Sequence, residues 1–189
     1  DTVGTKRASL KFEIETGTPY TIGALSERID SPVIDTLYST LKSDTYLKTG
    51  EQFKISNFDN ERSRLTTAFR NSGVYHFAEE YIRYENDTIG TQNKVNVQMQ
   101  IQDRIIRNDD SIVKVPFQSY RIKDVNIYTD ANSENRSKTI SDSIRYKNYT
   151  VYAYGKLKYK PEALTDAILI TKGGLYKDLD RARTFRYLN

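Results

Sequence analysis

One architectural signature is written twice along this chain, and the second copy ends before it is complete. In the first copy a strand-like Tyr20-Thr21-Ile22 leads to Ser31-Pro32 and a helical stripe of Ile34, Leu37, Tyr38 and Leu41. Gly50-Glu51-Gln52-Phe53, a second helix ending at Asn71-Ser72-Gly73, and two extended segments follow. In the second copy Tyr120-Arg121-Ile122 leads to Lys160-Pro161, a short apolar stripe and Lys172-Gly173-Gly174-Leu175-Tyr176. Asp180-Arg181-Ala182-Arg183 opens the next element. Self-similarity of this kind predicts a tandem of small modules, each burying one face against its own helices.

The spacing of residues gives the elements. Leu10, Phe12 and Ile14 alternate with charged residues, which predicts a half-buried strand. Ser31 suits an N-cap and Pro32 the first helical position. Asn57 or Asp59 can cap the second helix, whose buried face is Leu65, Ala68 and Phe69. Gly73 suits the position just past its end, because glycine takes left-handed backbone without strain. Val74 to Tyr84 reads as a strand, and Val95, Val97, Met99 and Ile101 form the clearest strand of all, alternating with Asn96, Gln98 and Gln100. Residues 104–115 read as a polar linker with a turn at Asn108-Asp109-Asp110-Ser111. Residues 129–159 are an insertion without counterpart in the first copy. Asp130 to Ser143 is loop-like, and Tyr149 to Leu157 is a strand or hairpin. Pro161 opens a helix expected to run to about Ile170. A second copy without its last two strands predicts poor order after about Thr171, or burial of the helix's apolar face by a neighbouring molecule.

Composition narrows the function. The chain has no cysteine and one histidine among 189 residues, which excludes a disulfide scaffold, a thiol nucleophile and a Cys-based zinc site. His76 has no serine signature beside it, so a Ser-His-Asp site has no support. Basic and acidic residues, 29 and 25, are interspersed without long runs, which argues against a nucleic-acid tail or a polybasic membrane patch. Gly173-Gly174 lacks phosphate-loop spacing, and Asn86-Asp87 and Asp109-Asp110 lack the alternating ligands of a calcium loop. The Tyr-rich stretch from Tyr146 to Tyr159 has the composition of a base-stacking platform, but the same pattern makes an ordinary amphipathic hairpin, which is the reading taken. No cofactor, metal or catalytic residue is expected.

The order and spacing of Gly50-x-x-Phe53, Arg62, Asn71-Ser72-Gly73-Val74-Tyr75 and the Val95 to Ile101 strand, with Gly173-x-x-Tyr176 and Arg181 repeating them, resemble POTRA modules. These are the periplasmic repeats of BamA/TamA-type outer-membrane assembly factors, and Tyr159 to Leu164 is most similar to the TamA-like branch. The resemblance implies an α+β chain of tandem β-α-α-β-β modules, each a three-stranded mixed sheet with two helices on one face. Residues 1–18 would end a preceding module, 19–103 form a complete one, 104–115 link, and 116–189 form a second, truncated one. It further implies a periplasmic location, a parent protein with a C-terminal membrane β-barrel, and partners that are unfolded outer-membrane proteins or accessory assembly proteins.

A physical reading runs beside it. A three-stranded sheet covered on one face leaves an open edge, and an extended peptide can add to that edge through main-chain bonds with little sequence selectivity. By resemblance the edge is the strand after Gly73, placed at Phe77, Ala78, Glu79, Glu80, Tyr81, Ile82, Arg83 and Tyr84. Glu79 and Glu80, adjacent on a strand, would point to opposite faces and cannot form an acid/base pair. The alternatives are a structural spacer arm without client contact, or a module of the same fold in two-partner secretion or cell division.

Overall fold

The alternation from Val95 to Ile101 builds the central strand of the first sheet. The computed structural model describes residues 8–108, 111–135 and 137–188. Its first unit runs β1 (Thr21–Ile29), α1 (Pro32–Leu41), α2 (Ile55–Asn71), β2 (Ile82–Asp87) and β3 (Lys94–Ile101). Strand order is β1-β3-β2, with β3 parallel to β1 and antiparallel to β2. Parallel neighbours need a crossover, and α1 and α2 lie in it. The unit is the β-α-α-β-β arrangement with a mixed sheet that its sequence anticipates.

Two caps differ from expectation. Ser31 precedes Pro32 as expected, but its hydroxyl does not cap α1. It donates to Asp103 Oδ1 and accepts the Phe117 N–H at 2.9 Å. Helix α2 begins at Ile55, so Asn57 and Asp59 lie inside it, and Asp59 pairs with Arg62 at 2.9 Å instead. Gly73 ends α2 as expected, with φ of 92°, and the Val74 N–H donates back to Phe69 O at 3.0 Å.

The main core gathers Ile34, Leu65, Phe69, Val74, Phe77, Ile82, Met99 and Ile101. Phe117 joins it from beyond β3, with its ring 5.1 Å from that of Phe77. A smaller cluster holds Ile22, Leu47, Phe58, Val95 and Val97, and Phe53 of the Gly-x-x-Phe loop packs on it. Glu61 is buried between them. Its carboxylate takes Arg64 at 2.7 and 3.0 Å and the Tyr46 N–H at 3.0 Å.

The expected linker is a two-stranded antiparallel ribbon, β4 (Arg104–Asn108) and β5 (Ser111–Val115). Its β-branched residues (Ile105, Ile106, Ile112, Val113 and Val115) favour extended backbone, and polar composition masked this. Asp109 and Asp110 of the expected turn lie outside the described residues.

The second unit contains β6 (Val125–Tyr128), β7 (Asp142–Tyr146), β8 (Tyr149–Ala153), α3 (Pro161–Thr165) and α4 (Asp178–Leu188). Its sheet order is β6-β8-β7, with β8 parallel to β6 and antiparallel to β7. The inserted residues therefore form a hairpin that completes a sheet. Helix α3 is shorter than its apolar stripe: beyond Thr165 the Ile168 N–H returns to Thr165 O at 3.1 Å, and the Leu169 N–H donates to Thr184 Oγ1 of α4 at 2.9 Å. The expectation of poor order after Thr171 is not met. Residues 173–176 pair with 120–122, and α4 follows. Tyr149 of the hairpin reaches Ile170 O at 3.1 Å, and Thr165 and Ile168 are buried, so the hairpin lies against the segment that follows α3.

The expected strand at Leu10 to Ile14 is not formed. Leu10, Phe12 and Ile14 are each more than 80% exposed (82%, 81% and 81%), because an alternating segment becomes a strand only beside a neighbour.

Replacing Arg64 by Ala leaves Glu61 buried without its cation. We expect a stability loss of roughly 3–5 kcal/mol, the range for breaking a buried pair from one side, measured by urea unfolding at pH 7.

Candidate functional site

Which backbone groups of the first sheet remain free follows from one hydrogen bond. The Asp30 N–H donates to Ile101 O at 3.0 Å, so the backbone of Ile101 faces β1. Strand alternation then turns Gln100, Gln98 and Asn96 toward β2, where they meet Arg83, Glu85 and Asp87. Ile82, Tyr84 and Asn86 turn their N–H and C=O groups to the other edge, where the Ile82 N–H is already bonded to Glu79 O. Arg62 donates from Nε to Ile82 O at 3.2 Å and stacks over the Tyr84 ring at 5.0 Å, so one carbonyl is already taken. On β2, the free part of the edge is the backbone of Tyr84 and Asn86.

This edge is shorter and lies later than the sequence placed it. Phe77 is wholly buried in the core, and Ala78 precedes a single 3-10 turn of Glu79, Glu80 and Tyr81. Only Ile82, Arg83 and Tyr84 of the expected segment are strand, and Arg83 faces the ladder. The cause is Arg70, which donates to Tyr75 O at 3.0 Å and Phe77 O at 2.9 Å, taking carbonyls that a strand pair would use. Glu79 accepts the Ser63 hydroxyl at 2.6 Å, and Tyr81 packs edge-on against Phe117. Asn86 was missed because Asn86-Asp87 reads as a turn. The alternation of Ile82 and Tyr84 was the signal that the strand continues through it.

Near this edge the Tyr84 hydroxyl is buried without a hydrogen-bond partner among the described residues, and burial raises its pKa well above the usual tyrosine range. Tyr38 is pushed up to about 12, first by burial and then by Glu27 and Glu61. Neither phenol is ionised at neutral pH.

A second feature joins the two units. The Tyr120 N–H donates to Gly73 O at 2.9 Å, and the Leu179 N–H to Asn71 Oδ1 at 2.9 Å. Tyr176 meets Tyr75 edge-on at 4.9 Å, and Tyr120 meets His76 at 5.3 Å. Arg70 reaches Asp178 at 3.0 Å, and Asp178 also takes the Tyr176 hydroxyl at 2.7 Å and Arg181 at 3.0 Å. Arg70, with Tyr176 and Arg181, holds the Asp178 carboxyl far below the usual carboxylate range. Burial, and then Arg104, lowers the His76 pKa. Tyr128 stacks on Tyr152 and Tyr154 at 5.1 and 6.4 Å, so the Tyr-rich stretch packs partly on itself. Among the described residues no helix is long and apolar enough to cross a membrane.

No protein-family model matches the chain, and no curated protein matches it. Among solved structures it is similar to the POTRA3–5 fragment of BamA from Haemophilus influenzae, with 9% identity, 89% of this chain and 49% of that one covered, and a TM-score of 0.45. It is also similar to POTRA1–2 of the periplasmic domain of Omp85 from Anabaena, with 11% identity, 92% and 78% covered, and a TM-score of 0.40. The chain spans about half the length of the BamA fragment.

Two substitutions test the joint. A Cβ on Gly73 would stand 2.7 Å from Leu175 Cδ1 and in left-handed backbone. We expect Gly73→Ala to cost at least about 1–2 kcal/mol from the backbone alone and to unseat the second unit, read as a lower melting temperature with a larger radius of gyration. Asp178→Asn weakens three contacts at a partly exposed site and should cost about 1 kcal/mol. Because the folded pKa of Asp178 is depressed, its contribution is complete above the ordinary carboxylate pKa and fades as pH falls below it. Wild type and Asp178→Asn should therefore differ by a constant amount from pH 5 to 8 and converge in acid, checked by melting temperatures across pH.

Proposed function

We propose that this chain is a non-catalytic docking and scaffolding segment in the periplasmic part of an outer-membrane protein assembly or translocation factor. On this reading residues 19–103 are one complete module and 116–189 belong to a second, with 129–159 inserted. Its partners are unfolded outer-membrane proteins or accessory assembly proteins. They bind by adding an extended strand to an open sheet edge. The observation that supports this most directly is the unpaired backbone of Tyr84 and Asn86 on β2, at an edge with exposed Glu85 and Asp87 beside it. Main-chain bonds would give affinity, and the short free length would keep it weak and tolerant of sequence. The interlocked joint at Arg70 and Asp178 favours a second reading, a stiff spacer arm that binds no client.

The two readings part on one substitution. Asn86→Pro removes an N–H on the free edge and none from the β2–β3 ladder. Extended peptides from outer-membrane β-strands should shift the amides of Tyr84 to Asp87 in NMR titrations, and Asn86→Pro should weaken binding at least tenfold while leaving stability within about 1 kcal/mol. A flat response of wild type at millimolar peptide decides for the spacer.

A further inference from the structure

The two units share an opening, so their sheets can be compared strand for strand. Tyr20 and Ile22 hold the first Gly-x-x-Phe loop through three bonds. Phe53 N–H reaches Tyr20 O, Ile22 N–H reaches Glu51 O, and Gly50 N–H reaches Ile22 O, at 2.8, 2.8 and 2.7 Å. Tyr120 and Ile122 hold Gly173 to Tyr176 through the same three, at 2.9, 2.8 and 2.7 Å. In each unit that loop separates two helices, so β6 stands where β1 stands.

The strands beside β1 and β6 nevertheless lie on opposite edges. In a strand of L-residues, the edge that a residue's backbone faces is tied to the face that its side chain takes. Asp30 faces β3, so Ile29 faces away from β3, and the Ile29 side chain packs on the core beneath the helices. In β6 the Thr129 N–H donates to Tyr152 O at 3.1 Å, so Ile127 and Val125, in phase with Thr129, face β8. Their half-buried side chains lie level with buried Val151 and Tyr149, on the side where the Tyr149 hydroxyl meets Ile170 O beyond α3. Tyr128 is on the opposite face, stacked on Tyr152. Residues on the helix side thus face the neighbouring strand in β6 and face away from it in β1. Strand β8 occupies the outer edge of the repeat, the edge that β1 leaves bare.

On β1 that edge carries the N–H and C=O groups of Leu25, Glu27 and Ile29, which have no hydrogen-bond partner among the described residues. The strand is exposed from Ala24 to Arg28, and Leu25 is 39% exposed. A cavity of about 50 Å³ lies beside it, between sheet and helices, lined by Leu25, Glu27, Tyr38, Leu47, Tyr84 and Met99.

We propose that the outer edge of β1, Leu25–Ile29, is a strand-addition site that takes an extended polypeptide running parallel to β1, as β8 lies on β6. The inserted hairpin of residues 142–153 is the built-in occupant of this edge in the second unit and closes it to partners. The segment that fits β1 alternates in the manner of β8. Apolar or small side chains, like those of Tyr149, Val151 and Ala153, turn toward the helices and the cavity, and the others turn outward. This deepens the reading of the chain as a strand acceptor but uses a different edge from β2, so the two are separable by where a proline acts.

The probe is a synthetic peptide with the sequence of residues 148–154, titrated into the whole chain and followed by amide shifts. Shifts clustered at Leu25, Glu27 and Ile29 are expected. N-methylation of the peptide at the positions of Thr150 and Tyr152, which face the neighbouring strand in β8, should weaken binding at least tenfold. N-methylation at the positions of Val151 and Ala153 should leave it within threefold. Glu27→Pro should abolish binding, whereas Asn86→Pro should leave it unchanged. The methylated peptides decide the matter even if Glu27→Pro fails to fold. Shifts confined to β2 or β6, an equal effect of both methylation patterns, self-association of the chain through β1, or no binding at millimolar peptide would each overturn the proposal.

Discussion

The parallel pairing of β1 with β3 governs this structure. A parallel pair cannot be closed by a tight turn, so the chain must leave the sheet, run through α1 and α2, and return. The helices consequently lie on one face, and the antiparallel partner β2 enters on the far side of β3. Two edges are left at once, one on β1 and one on β2. The edges are managed unequally. The Gly-x-x-Phe loop closes β1 as far as Ile22, and Arg62 caps the first carbonyl of β2. What remains bare is the latter part of each strand.

Much of this architecture was legible in the residues. Strict alternation placed β3, the stripe of Ile34, Leu37, Tyr38 and Leu41 placed α1, and Gly73 marked the end of α2, because each is a local pattern whose burial is one-sided. The repeated Gly-x-x-aromatic was legible too, and the same three backbone bonds in both units account for it. The segment from Val74 to Tyr81 was misread because its fate is decided from outside. Arg70 collects the carbonyls of Tyr75 and Phe77, and no periodicity in the segment reports that. Beyond the short α3 the Leu169 N–H likewise finds a side-chain acceptor on Thr184 in another helix, which no local pattern reports. The ribbon of β4 and β5 was hidden by its charged residues, although its β-branched positions were in plain view.

The joint between units shows how a repeat becomes a single object. Gly73 lacks a side chain, so Leu175 can approach the end of α2, and its carbonyl is free to take the Tyr120 N–H. Around this contact Asp178 gathers Arg70, Tyr176 and Arg181. The arrangement draws on both units, so neither surface is finished alone. Such a joint limits how far a bound segment on one unit could swing relative to the other.

Phe117 carries a consequence for how the chain is made. Its ring is buried against Phe77 and Tyr81, and its N–H rests on the Ser31 hydroxyl, although it lies beyond β3 and beyond the β4–β5 ribbon. During synthesis all five strands and helices of the first unit leave the ribosome before this residue does. Until it arrives, Ile34, Phe77 and Ile101 lack the ring that packs with them, and the Ser31 hydroxyl lacks the N–H it accepts. The core of the first unit is therefore complete only when the chain beyond the ribbon has returned Phe117 to it.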